Sequence, residues 1–81
     1  MKLPRDLSGD ELARALRRFG YEITRQTGSH MRLSSSFRGV QHHITIPAHS
    51  PLKIGTLSQI LADVAGNLEI TRDQLSGKLF P

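Results

Sequence analysis

His30, which follows Gly28 and Ser29 at the start of an alternating segment, is the residue of this chain best suited to moving a proton. Histidine has an unperturbed pKa of about 6.5, so it gives or takes a proton near neutrality. RNA carries its own nucleophile, the 2′-hydroxyl, and its cleavage needs little beyond a proton shuttle and cations that hold the phosphate. His42, His43 and His49 are the other imidazoles, and cysteine is absent. Thiolate metal sites and disulfides are thereby excluded, which fits a reducing cytoplasm. No His pair has the H-E-x-x-H spacing, no acidic cluster suits magnesium, and neighbouring His42 and His43 in a strand point to opposite faces. The residues favour a route without metal or cofactor.

In that route His30 acts as general acid or base while the 2′-hydroxyl attacks the adjacent phosphate, leaving a cyclic phosphate and a free 5′-hydroxyl. His43 is the candidate for a second proton carrier because it is predicted on the same outward face, although a solvated strand histidine is the plainer reading. His49 lies in a turn beside Pro47 and is read as structural. Arg32 shares the His30 face and is the leading phosphate contact. Lys53, Gly55 and Thr56 at a helix start could hold a phosphate through free amides and one charge, while capping by Thr56 explains two of the three equally well. Arg14, Arg17, Arg18 and Arg38 would widen a basic track or simply form a solvated face. One Tyr and three Phe leave little for base stacking.

The net charge of +4 is uneven: residues 1–58 carry +5 and residues 59–81 carry −1. That asymmetry favours a polyanionic partner. With 81 residues the chain is expected to form one domain over 1–81, with a thin core and a shallow site in place of a closed cavity. The amino terminus lacks a secretory apolar run and no stretch is long enough to span a membrane, so the cytoplasm is expected.

Ser8-Gly9-Asp10-Glu11 has capping-box spacing, Leu7 and Leu12 fit a hydrophobic staple, and Leu12, Ala15, Leu16 and Phe19 follow helical spacing up to Gly20. Tyr21 to Gln26 reads as a strand with Tyr21 and Ile23 facing the core. Gly28 marks a tight turn, and a second strand follows with Met31 and Leu33 on one face and His30 and Arg32 on the other. Gly28-Ser29-His30-Met31 has the form of a tag-cleavage remnant, but it lies between two predicted strands and is read as native. Residues 34–39 read as a hairpin loop, and Gln41 to Pro47 is the clearest strand. There Ile44 and Ile46 alternate with His43 and Thr45, and His42 shares the apolar parity. A second helix starts within Lys53 to Thr56, buries Leu57, Ile60, Leu61 and Val64, and stops at Gly66-Asn67. Thr71-Arg72-Asp73-Gln74 predicts a short terminal helix through about Leu79. The order α-β-β-β-α makes an α+β sandwich.

Gly20 at the first helix end, Gly28-Ser29-His30, Ile46-Pro47-Ala48-His49, and Leu52-Lys53-Ile54-Gly55-Thr56-Leu57 running into Ile60-Leu61 together resemble the HicA (YcfA-like) toxin family over almost the whole chain. The resemblance implies a double-stranded-RNA-binding-domain-like fold, with helices on one face of a three-stranded antiparallel sheet. It also implies endoribonuclease activity on messenger RNA, a HicB-type antitoxin partner, and assembly into a higher-order toxin–antitoxin complex. The catalytic role of the Gly-Ser-His histidine falls on His30. Ser29, Arg32, His43 and Lys53 are then the candidate RNA contacts, with no metal ligand and no membrane partner. Three features depart from the family pattern: Ile54 where a basic residue is frequent, the double His42-His43, and a longer Gly66–Thr71 segment. The rival from another class is a non-catalytic module that holds duplex RNA by shape, and a small adaptor without nucleic acid is a third.

Overall fold

Serine and threonine caps, and glycines at positive φ, set most element boundaries in the computed structural model, which describes residues 3–37 and 39–81. Helix α1 covers Gly9–Leu16, and its amino end is closed by the predicted capping box: Glu11 N donates to Ser8 Oγ at 3.1 Å and Ser8 N donates to Glu11 Oε1 at 2.9 Å. One 3-10 turn, Arg17–Phe19, tightens the end before Gly20 takes the left-handed conformation at φ 77°. The buried stripe is Leu12, Ala13 and Leu16, with Ala15 only partly covered.

Strands β1 (Glu22–Thr27), β2 (His30–Ser35) and β3 (His42–Pro47) form an antiparallel sheet in the order β1-β2-β3. Helices α2 (Ile54–Leu68) and α3 (Arg72–Leu79) complete the α-β-β-β-α-α order. The expected sandwich is therefore present, with a short carboxy-terminal helix. Met31, Leu33, Ile44 and Ile46 point from the sheet into a core filled by Leu12 and Leu16 of α1 and by Leu57, Leu61 and Val64 of α2. At about 25 cal/mol per Å², burial of such aliphatic side chains is worth roughly 1.5–3 kcal/mol each and holds the layers together. The other sheet face is left uncovered. Among the described residues no helix is long and apolar enough to cross a membrane.

Four expectations need correction. Ile23 pairs with Leu33 on the helix side, yet it is 49% exposed, because on the edge strand β1 it lines an open cleft beside Ala13 and Arg14 of α1 and is not covered by them. The loop after β2 begins two residues later than predicted. Ser35 belongs to the strand and is buried, donating to Phe19 O at 2.8 Å and accepting from Phe37 N at 3.1 Å. Helix α2 continues through Gly66 and Asn67 to a left-handed Glu69 at φ 59°. Burial of Leu68 and a hydrogen bond from Asn67 outweigh the local stop signal. Its N-cap is Lys53 without a side-chain hydrogen bond, so Thr56 lies inside the first turn and does not cap.

Candidate functional site

A two-residue hairpin aims His30. Thr27 pairs with His30, so only Gly28 and Ser29 turn the chain, and Gly28 adopts φ 56° at the first of the two, where primed hairpin turns place glycine. No atom would crowd a Cβ at Gly28, so its role there is conformational. His30 is thereby the first residue of β2, exposed on the uncovered sheet face. Its imidazole has no hydrogen-bond partner among the described residues. A group used for proton transfer must have a free nitrogen, and this one has both.

Arg32 stands two residues further along the same face, about 7 Å away at strand rise. Opposite it is Arg25. Simple alternation from Tyr21 and Ile23 would turn Arg25 toward the core, but the register slips between Ile23 and Arg25. The bulge leaves Thr24 unpaired in the ladder, and its hydroxyl donates to Arg32 O at 3.3 Å. From Arg25 onward the face is reversed, so two arginines oppose each other on the open sheet. Like charges so placed repel one another and gain from a shared anion. Period-two reading could not find Arg25, since nothing local announces the bulge.

His43 is on the same face but not beside His30. His30 pairs with Pro47 and Ser34 pairs with His43, so four residues of strand, about 13 Å, separate the two imidazoles. Its Nδ1 shares a 2.5 Å hydrogen bond with Ser34 Oγ, which also lies 3.3 Å from Thr24 Oγ1. His42 turns inward. Asn67 Nδ2 donates to the Tyr21 hydroxyl at 3.0 Å, which leaves the phenol proton for His42 Nδ1 at 2.6 Å and Nε2–H for Asp63 at 3.3 Å. Burial raises the Tyr21 pKa; the Asn67 hydrogen bond opposes this and the Asp63 charge adds to it. Both nitrogens of His42 are committed to joining the sheet to α2.

The end of the molecule that carries His30 is assembled by main-chain contacts. Ala48 N donates to Ser29 O at 2.6 Å, Gly9 N to His49 O at 2.9 Å, and Leu52 N to Leu7 O at 2.7 Å. The hairpin tip, the exit of β3 and the starts of α1 and α2 therefore meet there. Ser29 and Lys53 are both exposed, and the first amides of α2 have no side-chain cap. Arg14 on α1 and Arg17 in the 3-10 turn after it are exposed, while Arg18 Nη1 donates to Lys78 O at 2.8 Å and serves to hold α3. Arg38 lies outside the described residues. A cleft of about 490 Å³ lined by Asp10, Ala13, Arg14, Arg17 and Ile23 opens on the helix side, away from His30. The His30 surface is open, which suits a long flexible polymer better than a small molecule. Among the described residues no three His, Asp or Glu side chains gather as a metal site.

An uncovered sheet face with an unpartnered histidine and a paired arginine cluster defines a small α+β protein built around an exposed polar surface. The chain matches the family model described as HicA toxin of bacterial toxin-antitoxin over residues 9–65, which include His30, the bulge and the β3 exit. It belongs to the HicA toxin family, and that membership implies a cognate antitoxin. No curated protein and no solved structure matched the chain.

Proposed function

We propose that this chain is the toxin of a toxin–antitoxin pair that acts in the cytoplasm as a metal-independent endoribonuclease on messenger RNA, with His30 as the proton-transfer residue. The observation that supports it most is the isolation of His30: exposed, unpartnered, on an open face and about 7 Å along the strand from an arginine pair. Arg25, Arg32 and Lys53 hold phosphates, Ser29 positions the backbone beside His30, and His43 contacts RNA further along the face. In the reaction the 2′-oxygen bonds to phosphorus, the bond from phosphorus to the 5′-oxygen breaks, and the products are a cyclic phosphate and a 5′-hydroxyl. A HicB-type antitoxin silences this open site by covering it.

Single-turnover cleavage of a messenger RNA by wild type and His30→Ala, matched for folding by circular dichroism, tests the reading. His30→Ala loses about 10²–10⁴ in rate while keeping RNA affinity, and wild-type cleavage persists in EDTA. Equal rates overturn the role of His30, and RNA binding without wild-type cleavage points to the binding module. Hydrogen exchange of the toxin–antitoxin complex tests occlusion: protection falls on residues 28–34 and 41–47, and protection confined to the outer sides of the helices refutes it.

A further inference from the structure

Three other histidines were available to assist His30, and the structure sorts them. His42 has both nitrogens committed, and His43 lies about 13 Å along the strand with Nδ1 bonded to Ser34. His49 remains. The β2–β3 ladder extends one step past its last paired strand residues, because Ala48 N donates to Ser29 O. The Pro47 carbonyl lies against Gly9, where an added Cβ would stand 2.0 Å from its oxygen, and the His49 carbonyl accepts from Gly9 N at 2.9 Å. Two carbonyls two residues apart turn to the same side only if the chain stays extended through Ala48. Ala48 packs against the core, so Pro47 and His49 turn to the opposite face, the face of His30. His49 is exposed and its ring has no hydrogen-bond partner among the described residues. Beyond Ser29 the hairpin turns at Gly28, which has no side chain to stand between the two rings.

We propose that His49 is the second proton-transfer group of the His30 site, an inference that rests on the ribonuclease reading above. His49 is the diagonal neighbour of His30, a relation that puts the two Cα atoms about 7–8 Å apart. That span leaves room for one phosphodiester between two imidazoles. One ring takes the proton of the 2′-hydroxyl as the bond from that oxygen to phosphorus forms. The other, protonated at the start, gives its proton to the 5′-oxygen as the bond from phosphorus to that oxygen breaks. No electrons are gained or lost, and exchange with water restores both rings.

The test uses wild type, His30→Ala, His49→Ala and His49→Gln on an oligoribonucleotide and on its analogue with a bridging 5′-sulfur, whose leaving thiolate needs no proton. Circular dichroism checks that each variant is folded, since only the His49 main chain is used in packing. Both His49 variants lose about 10²-fold or more on the oxygen substrate. The sulfur substrate restores one of the two alanine variants and not the other, and the restored one identifies the acid. Wild-type cleavage with His49→Ala within twofold overturns the pair and leaves the ribonuclease reading intact. A slow, folded His49→Ala with neither alanine variant restored overturns it also. If wild type leaves both substrates intact, the ribonuclease reading falls and the pair with it.

Discussion

The two ends of the β2–β3 ladder treat their histidines in opposite ways. At the far end His42 is fixed between Tyr21 and Asp63, and His43 is tied to Ser34. At the near end neither the His30 ring nor the His49 ring has a hydrogen-bond partner among the described residues. The far end is built by side chains: the Asn67–Tyr21–His42–Asp63 chain, Ser35 on Phe19 O, and Phe19 edge-on to Phe37 at 5.9 Å. The near end is built by backbone, through Ser29, Ala48, His49, Gly9, Leu7 and Leu52. A site assembled from main-chain contacts keeps its side chains free for solvent and ligand. The same residue type is structural at one end and available for chemistry at the other.

The largest contrast expected from this difference is catalytic. Where His30→Ala loses about 10²–10⁴ in single-turnover rate, His43→Ala at saturating protein should stay within a few-fold of wild type. A His43 loss equal to that of His30 would abolish the distinction between the ends. The near end should also be sensitive to backbone crowding. Gly9→Ala drives a Cβ onto the Pro47 carbonyl, 2.0 Å away, and should destabilise the fold by about 1–3 kcal/mol in urea titration while also slowing cleavage. An unchanged midpoint would show that α1 does not need this close approach to β3.

At the far end, Tyr21→Phe removes the hydroxyl that serves Asn67 and His42, and leaving such groups unpaired costs about 1–3 kcal/mol. Denaturant midpoints should fall while the cleavage rate of the folded protein is kept. The same phenol gives a pH signature. Because burial raises its folded pKa above 10.0, the contribution of Tyr21 to stability is complete below its unfolded pKa and is lost as pH rises through the folded one. Tyr21 is the only tyrosine, so phenolate absorbance reports it alone, and a midpoint at or below 10.0 would contradict its burial. The smallest effect concerns the open face between the ends. Arg25→Ala and Arg32→Ala should each make the salt dependence of RNA affinity shallower by about one unit, whatever the RNA sequence. A normal slope for Arg25→Ala would mean that the bulge does not present it to phosphate.

Much of this was legible in local sequence. Ser8 with Glu11 and Thr71 with Gln74 mark helix starts by a reciprocal hydrogen bond that needs no tertiary partner, and both boxes form. Met31 and Leu33 against His30 and Arg32 show strand alternation, and Ile44 and Ile46 against His43 and Thr45 repeat it, so the buried and open faces could be assigned in advance. The Gly66-Asn67 stop was misleading because the stop signal is local, whereas the burial of Leu68 and the bond from Asn67 to Tyr21 are not. Thr56 misled as a cap for a related reason, since the chain that Leu52 ties to Leu7 starts the helix earlier.

By itself the sequence determined the elements, the polarity of each sheet face and the free presentation of His30, because these follow from caps, periodicity and a glycine turn acting within a few residues. Register and edge position belonged to the tertiary structure alone. They put His43 about 13 Å from His30, turned Arg25 outward at a bulge, left Ile23 uncovered and carried His49 to the His30 end. Each depends on how strands slide and helices dock, and those choices are decided by packing between residues far apart in the chain.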